Sequence, residues 1–409
     1  MGAAVTLGRY TLHDELSSGG MATVHLGRLV GPVGFGRTVA IKRLHPQYAK
    51  DPEFVRMFLD EAHLAARIQH PNVVHTLDVV AEGGELFLVL ELVKGESLST
   101  LSRALSLRSE KMPVSVASSV IIGALSGLAA AHDARDARGE PLQLVHRDVS
   151  PQNVMVGADG VARVLDFGVA KARARVSNTQ EGHLKGKIAY MAPEQLSGET
   201  SPRSDLYSAA VVLWELLAGR RLFVADSEVQ LIAMVQRGPL LAPSEFRAEV
   251  PPELDRICAR ALAHRPEDRY ESAVAMARDI DRSVDVASAM RVSEWMADIA
   301  GPMLDARSKL VTEMESGVRD VGSLDELSRT PLEEAATKAV ATVSSIAKAA
   351  DQAVRDGRRK ATQAARDLAA TNPMLRAALA AVGKPKKPEP EPDPEPPEDQ
   401  TRAAKPKKT

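Results

Sequence analysis

The run His146-Arg147-Asp148-Val149-Ser150-Pro151-Gln152-Asn153, followed thirteen residues after Asn153 by Asp166-Phe167-Gly168, constrains this chain more than any other feature. It sets a carboxylate, an amide and a second carboxylate near one another. Oxygen donors of that kind hold a hard divalent cation such as magnesium against phosphates, and an acidic group beside them can accept the proton of an attacking hydroxyl. The chemistry indicated is phosphoryl transfer from a nucleotide.

A chain of 409 residues has room for two domains, or for one large domain with extensions. The formal net charge of -2 and pI near 6.6 supply no overall pull toward nucleic acid or anionic membrane, so no specific nucleic-acid partner is expected. A single cysteine, Cys258, excludes an intramolecular disulfide. The amino terminus lacks the charged-then-apolar pattern of a secretory signal, and a cytoplasmic location is expected. Residues 112–131 carry no charged side chain over nearly the length of a spanning helix, but Pro113, Gly123, Gly127 and four serines interrupt them. With Val116, Val120, Ala124 and Leu128 at four-residue spacing, that stretch reads as a helix buried in a globular lobe, and no membrane span is expected.

Three segments are expected. Between about Tyr10 and Leu92 the pattern is mainly short strands, including 23–27, 38–42 and 85–90, with one helix over 51–69 that His70-Pro71 stops. From Leu98 to about Asp285 it turns helical, and 206–217 is apolar on nearly every side, as a central helix must be. Residues 285–380 form a helical extension: Val292, Trp295, Met296, Ile299 and Met303 lie at helical intervals, and Thr330-Pro331-Leu332-Glu333 is a capping box opening an alanine-rich helix. Its apolar positions approximate a heptad, which leaves two readings, a loosely docked helix or a coiled coil joining a homodimer or another partner. The tail over 384–409 is rich in proline, glutamate and lysine with almost no apolar side chain, and is expected to be disordered.

Upstream of the opening motif, the segment Leu16-Ser17-Ser18-Gly19-Gly20-Met21-Ala22-Thr23-Val24 suits a strand-turn-strand that covers phosphates with backbone N–H groups. Val39-Ala40-Ile41-Lys42 follows, and downstream Ala192-Pro193-Glu194 completes the set in order. Chance assembly of all these elements is negligible. Over roughly residues 10–280 the chain resembles the eukaryotic-type Ser/Thr protein kinases, and its phrasing at 146–153 and 186–195 is most similar to the bacterial branch, particularly the myxobacterial kinases.

The resemblance implies an α+β bilobal fold, with a β-rich N-terminal lobe and a helical C-terminal lobe, acting on ATP, Mg2+ and a protein substrate. It implies Asp148 as catalytic base, and Asn153 and Asp166 as metal ligands. Lys42 would touch the α and β phosphates, with Glu61 as its ion-pair partner and Asp60 as the competitor for that role. Val24, Ala40 and Met155 would enclose adenine, Leu90 would stand at the back of the pocket, and the backbone of Glu91 and Val93 would bind the base edge. Asp205 should brace the catalytic loop, Arg269 should pair with Glu194, and His146 should pack without shuttling protons.

Departures from the family pattern bear on function. Two glycines of the phosphate-covering loop are replaced by Ser17 and Ala22, which resist positive φ and should stiffen it. Ser150 stands where Ser/Thr kinases carry a lysine, and Lys187 stands where they carry a threonine. Either Lys187 supplies the cation that position 150 lacks, or it faces solvent or the peptide substrate. Ser177 and Thr179 are candidate phosphorylation sites, with Arg147 placed to pair with a phosphate there. The alternative to an active kinase is a pseudokinase scaffold. Lys42, Glu61, Asp148, Asn153 and Asp166, all present, argue against it.

Overall fold

A computed structural model describes residues 5–316 apart from 20, 32–34, 83, 137, 168–182 and 240, and leaves out the side chains of residues 5, 53, 57, 61 and 183–185. Six antiparallel strands open the chain: β1 (Val5–Leu7), β2 (Tyr10–Ser18), β3 (Ala22–Val30), β4 (Gly36–Leu44), β5 (Thr76–Glu82) and β6 (Glu85–Glu91), in the order β1-β2-β3-β4-β6-β5. Between β4 and β5 lie a single turn, α1 (Pro46–Ala49), and the longer α2 (Pro52–Ala65).

Strand β6 explains why the sheet packs as it does. Its run Leu86-Phe87-Leu88-Val89 does not alternate with polar residues, because both faces are covered. Phe87 and Val89 pack with Val39, Ile41, Leu12 and Tyr10 on one side. Leu86 and Leu88 pack with Leu44, Phe58 and Ala62 of α2 on the other. Helix α2 is shorter than the expected 51–69. Past Ala65 its hydrogen bonds tighten from four-residue to three-residue steps, Arg67 N to Leu64 O and Ile68 N to Ala65 O, so the chain unwinds before His70-Pro71.

Residues 92–94 join this lobe to the second, which opens with β7 (Gly95–Ser97), α3 (Leu98–Arg108) and α4 (Val114–His132). Strands β8 (Val154–Gly157) and β9 (Ala162–Val164) complete a small sheet in the order β7-β8-β9. Then follow α5 (His183–Ile188), α6 (Pro193–Leu196), α7 (Pro202–Ala218), α8 (Glu228–Arg237), α9 (Pro252–Ala261), α10 (Ala273–Ser283) and α11 (Ala289–Ser316).

Every side chain of α7 from Ser204 to Ala218 is buried, as its all-round apolar pattern requires. Helix α4 is long and apolar enough to cross a bilayer, yet Ile121, Leu125 and Leu128 are buried in the same core as α7. Its glycines have a structural use. A Cβ at Gly127 would strike the Asn72 carbonyl, and Asn72 in turn donates from Nδ2 to Ala162 O at 2.7 Å, tying the helix to β9.

Helix α11 buries Val292, Met296, Ile299 and Ala300 in this core and Val311 and Met314 further along. All described residues belong to one compact unit. The capping box at 330–333, the alanine-rich helix and the tail lie outside the described residues.

Candidate active site

The catalytic loop is held by one buried carboxylate. Asp205, in the first turn of α7 and 1% exposed, accepts His146 N–H on Oδ2 and Arg147 N–H on Oδ1, each at 2.8 Å. His132, the last residue of α4, donates from Nε2 to Asp205 Oδ2 at 2.8 Å. These bonds fix Arg147 at φ 67°, in the left-handed region that a side chain rarely adopts and that costs about 1–3 kcal/mol. Asp166 holds a second such conformation at φ 50°. Strain of this kind persists only where neighbours over-determine it.

His146 is wholly buried, and both ring nitrogens are engaged. Nε2 donates to Leu165 O at 2.7 Å, and Nδ1 accepts from Asp148 N at 3.2 Å. That pattern belongs to a neutral imidazole with its proton on Nε2, so His146 links the catalytic loop to the residue before Asp166. Its ring also lies 4.9 Å from Phe167, which packs with Ala65 at the end of α2, Ile68 just after it, Val73 and Leu144. The two halves of the opening motif are thus locked together.

Asn153 turns its Nδ2 toward Asp148 and donates to the backbone O at 2.7 Å and to Oδ2 at 3.0 Å. Its Oδ1 is therefore the acceptor left for a cation. Lys42 reaches from β4 to Asp166, Nζ to Oδ1 at 2.8 Å, with only 12% of its side chain exposed. Lys187, from α5, lies 3.3 Å from Asp148 Oδ2. Lys42 is thus joined to Asp166, and Asp148 to both Asn153 and Lys187, the last a residue that the sequence alone leaves open between this site and solvent or peptide. Asp60 is exposed on α2, and the Glu61 side chain lies outside the described residues.

Does this set fit a divalent metal? Its donors are carboxylate and amide oxygens, as a hard cation prefers, and the described residues bring together no group of three His, Cys, Asp or Glu side chains. Asn153 and Asp166 alone would leave most positions to phosphate and water, which is how such ions sit in nucleotide sites. The residues fit. A metal there would neutralise phosphate charge, while Lys42 holds Asp166 and Asn153 holds the Asp148 carboxylate.

Above this floor, β2 and β3 pair Ser17 with Val24 and Ser18 with Thr23, and Gly19 N donates to Ala22 O at 2.9 Å across the turn. Leu16, Met21, Thr23 and Val24 are half-buried, Ser17, Ser18 and Gly19 are exposed, and Gly20 is outside the described residues. The expected stiffening has no basis in backbone strain, because neither Ser17 nor Ala22 adopts positive φ. Ala40 and Val93 are buried, and Leu90, Glu91 and Met155 are half-buried between the lobes.

Glu194 and Arg269 form the second anchor. The guanidinium, 0% exposed, grips both carboxylate oxygens at 2.7 and 2.8 Å, and Ser204 adds a hydroxyl at 2.7 Å. Burial would push the Glu194 carboxyl up, but Arg269 and Ser204 outweigh it and hold the group below its ordinary value. Next to it, Gln195 accepts Ala192 N–H and donates from Nε2 to Arg147 O at 3.3 Å, joining this anchor to the catalytic loop. Neither His132 nor Gln195 stands out in the sequence, since each acts on a residue far along the chain. Ser177 and Thr179 lie outside the described residues. Arg147 Nε is buried with no hydrogen-bond partner among the described residues.

A lysine-held aspartate, Lys42 on Asp166, and a braced aspartate-asparagine pair, Asp148 with Asn153, are the groups a phosphoryl-transfer site needs. The chain belongs to the protein kinase domain family, whose model matches residues 10–280. It is 41% identical over 271 residues to the tyrosine-protein kinase MasK of Myxococcus xanthus, an alignment covering 66% of this chain and 42% of that protein. It is 34% identical over 317 residues to the serine/threonine-protein kinase PknL of Mycobacterium tuberculosis, covering 77% and 74%. Its fold matches the crystal structure of the PknI kinase domain of Mycobacterium tuberculosis with a TM-score of 0.52 at 28% identity, covering 69% of this chain and 99% of that one.

Proposed function

We propose that this chain is an ATP- and Mg2+-dependent protein kinase that transfers the γ-phosphate to serine or threonine hydroxyls of proteins, itself among them. The observation that carries the reading is the pair of contacts Lys42 to Asp166, which joins the N-terminal sheet to the segment after β9, and Asn153 to Asp148 within the catalytic loop. Asp148 accepts the hydroxyl proton, Asn153 and Asp166 hold the metal, and Lys42 steadies the phosphates. The single cysteine, Cys258, is buried with its thiol pushed up by that burial, which suits a reducing cytoplasm.

Lys187 takes the part of the lysine missing at 150. Its Nζ is already beside Asp148, and Ser150 is buried and too short to reach a phosphate. Lys187→Met should lower kcat about 10–100-fold with nucleotide affinity little changed, and Ser150→Lys in that background should restore part of the rate. Equal turnover by wild type and Lys187→Met would end this assignment.

Incubation of the full chain with labelled ATP and magnesium, beside Asp148→Asn and Lys42→Met, tests the activity. Incorporation by wild type alone supports it, and ATP binding without incorporation identifies a scaffold. Phosphoamino-acid analysis is the decisive second measurement. The similarity to a protein named a tyrosine kinase, together with Ser150 in place of lysine, favours tyrosine as the second acceptor to look for.

A further inference from the structure

Helix α11 touches both lobes and the link between them. Its first half is buried in the C-terminal lobe, where Ser293 Oγ donates to Ala158 O at 2.6 Å. At mid-helix, Pro302 lacks the N–H that would bond to Asp298 O, and Arg108 of α3 supplies the donor instead at 2.9 Å. The helix therefore continues past its proline. From Val292 to Glu315 it covers roughly 35 Å at about 1.5 Å per residue, enough to pass the whole interlobe link. At its far end Val311 and Met314 pack with Leu26, Leu16 and Leu92, and Thr38 of β4 donates to Glu315 Oε1 at 2.6 Å.

Between these two anchorages lies a cavity of about 230 Å³, lined by Leu16, Val93 and Gly95 and by Leu304 and Ser308 of the helix. Arg307 also lines this space and reaches β7, directly after the link. Its Nη1 donates to Gly95 O at 2.7 Å and its Nη2 lies 3.3 Å from both oxygens of Glu96, a carboxylate with 5% of its side chain exposed. Gly95 has no freedom to move toward β8, because even a Cβ there would strike the Val156 carbonyl.

We infer that Arg307 is a positioning residue for nucleotide binding: anchored on a helix that straps the two lobes, it holds Gly95 and Glu96 and thereby fixes the backbone of residues 91–93 against the base. The inference rests on the nucleotide reading of that cleft given above. Arg307 touches no reacting atom. Its effect is on how much order the link must acquire when ATP binds, so it acts on affinity rather than on the transfer step. Burial pushes the Glu96 carboxyl up and Arg307 opposes this, so removal of the guanidinium leaves an unpaired acid beside the link.

The test uses the full chain and reads ATP affinity by calorimetry separately from turnover. Arg307→Gln should raise the ATP Kd and KM roughly five- to tenfold, with kcat within about twofold of wild type. Arg307→Lys, which keeps the charge but reaches fewer acceptors, should show a smaller rise of about two- to threefold. If Arg307→Gln gives no soluble protein, Arg307→Lys decides alone. An unchanged ATP Kd in either soluble variant, or a fall in kcat at unchanged Kd, overturns the inference. A wild type that binds ATP without turnover would sink the kinase reading and leave this test intact.

Discussion

The floor and the roof of the cleft are built on opposite terms. The floor holds two strained backbone conformations, at Arg147 in the catalytic loop and at Asp166 after β9, and the loop is gripped by Asp205 of α7 and Gln195 of α6 while its own His146 ties it to Leu165. The phosphate-covering turn between β2 and β3 has no strained residue among those described, one cross-turn backbone bond, and three exposed residues in sequence. Groups that must meet a reacting atom within fractions of an ångström are fixed before substrate arrives. The roof carries no comparable brace among the described residues.

The largest test of this contrast lies beneath the floor. Arg269→Ala removes the guanidinium that grips the mostly buried Glu194 and should destabilise the protein by about 3–5 kcal/mol, measured by denaturant unfolding. Since Arg269 holds the Glu194 carboxyl below its ordinary value, its contribution is present above the unfolded-state value and is lost as pH falls through the folded one. The gap between wild type and variant should therefore be full at neutral pH and narrow in acid. A gap that does not change with pH would show that Arg269 acts through packing on Tyr207, 4.9 Å from its guanidinium, and not through charge.

Asp205→Asn strikes the floor directly. An amide offers one acceptor oxygen where the carboxylate serves His146 N–H, Arg147 N–H and His132 Nε2, so at least one buried donor loses its partner at about 1–3 kcal/mol. We expect kcat to fall roughly 10–100-fold while ATP affinity stays near wild type, because Lys42 and Asp166 are not touched. Loss of ATP binding in this variant would show that floor and roof are coupled, and that the division drawn between them is wrong.

What could be read from sequence follows the same division. Asp148, Asn153, Asp166, Lys42, Asp205 and the Glu194–Arg269 pair were legible because each sits in a local phrase whose residue types have few other uses. His132 and Arg307 were not. Each is a single side chain on a helix, and its meaning lies in a carboxylate or carbonyl reached only after folding, 73 and 212 residues away. The strand at 85–90 was legible but not its burial on both faces, and the apolar period of 292–303 revealed a packed helix but not what it packs against. Nor could helix phase give the end of α2. It ends where the hydrogen bonds tighten to three-residue steps and Ala65 and Ile68 pack in one cluster with Phe167.

The smallest expected effect is at the roof, and it separates strain from stiffness. Ser17→Gly and Ala22→Gly restore the glycines that the family pattern places there. Neither position has positive φ, so glycine relieves nothing in the folded state and adds freedom to the unfolded one. Each change should cost less than about 1 kcal/mol in stability, read as a small fall in Tm, and should change the ATP KM by less than about threefold. Ala22 is buried at the start of β3 and should be the costlier of the two, since it also gives up a packed methyl group, whereas Ser17 is exposed on β2. A marked gain in ATP affinity from either variant would mean that the wild-type turn resists closing over phosphate, and the roof would then have to be counted with the floor as a preset part of the site.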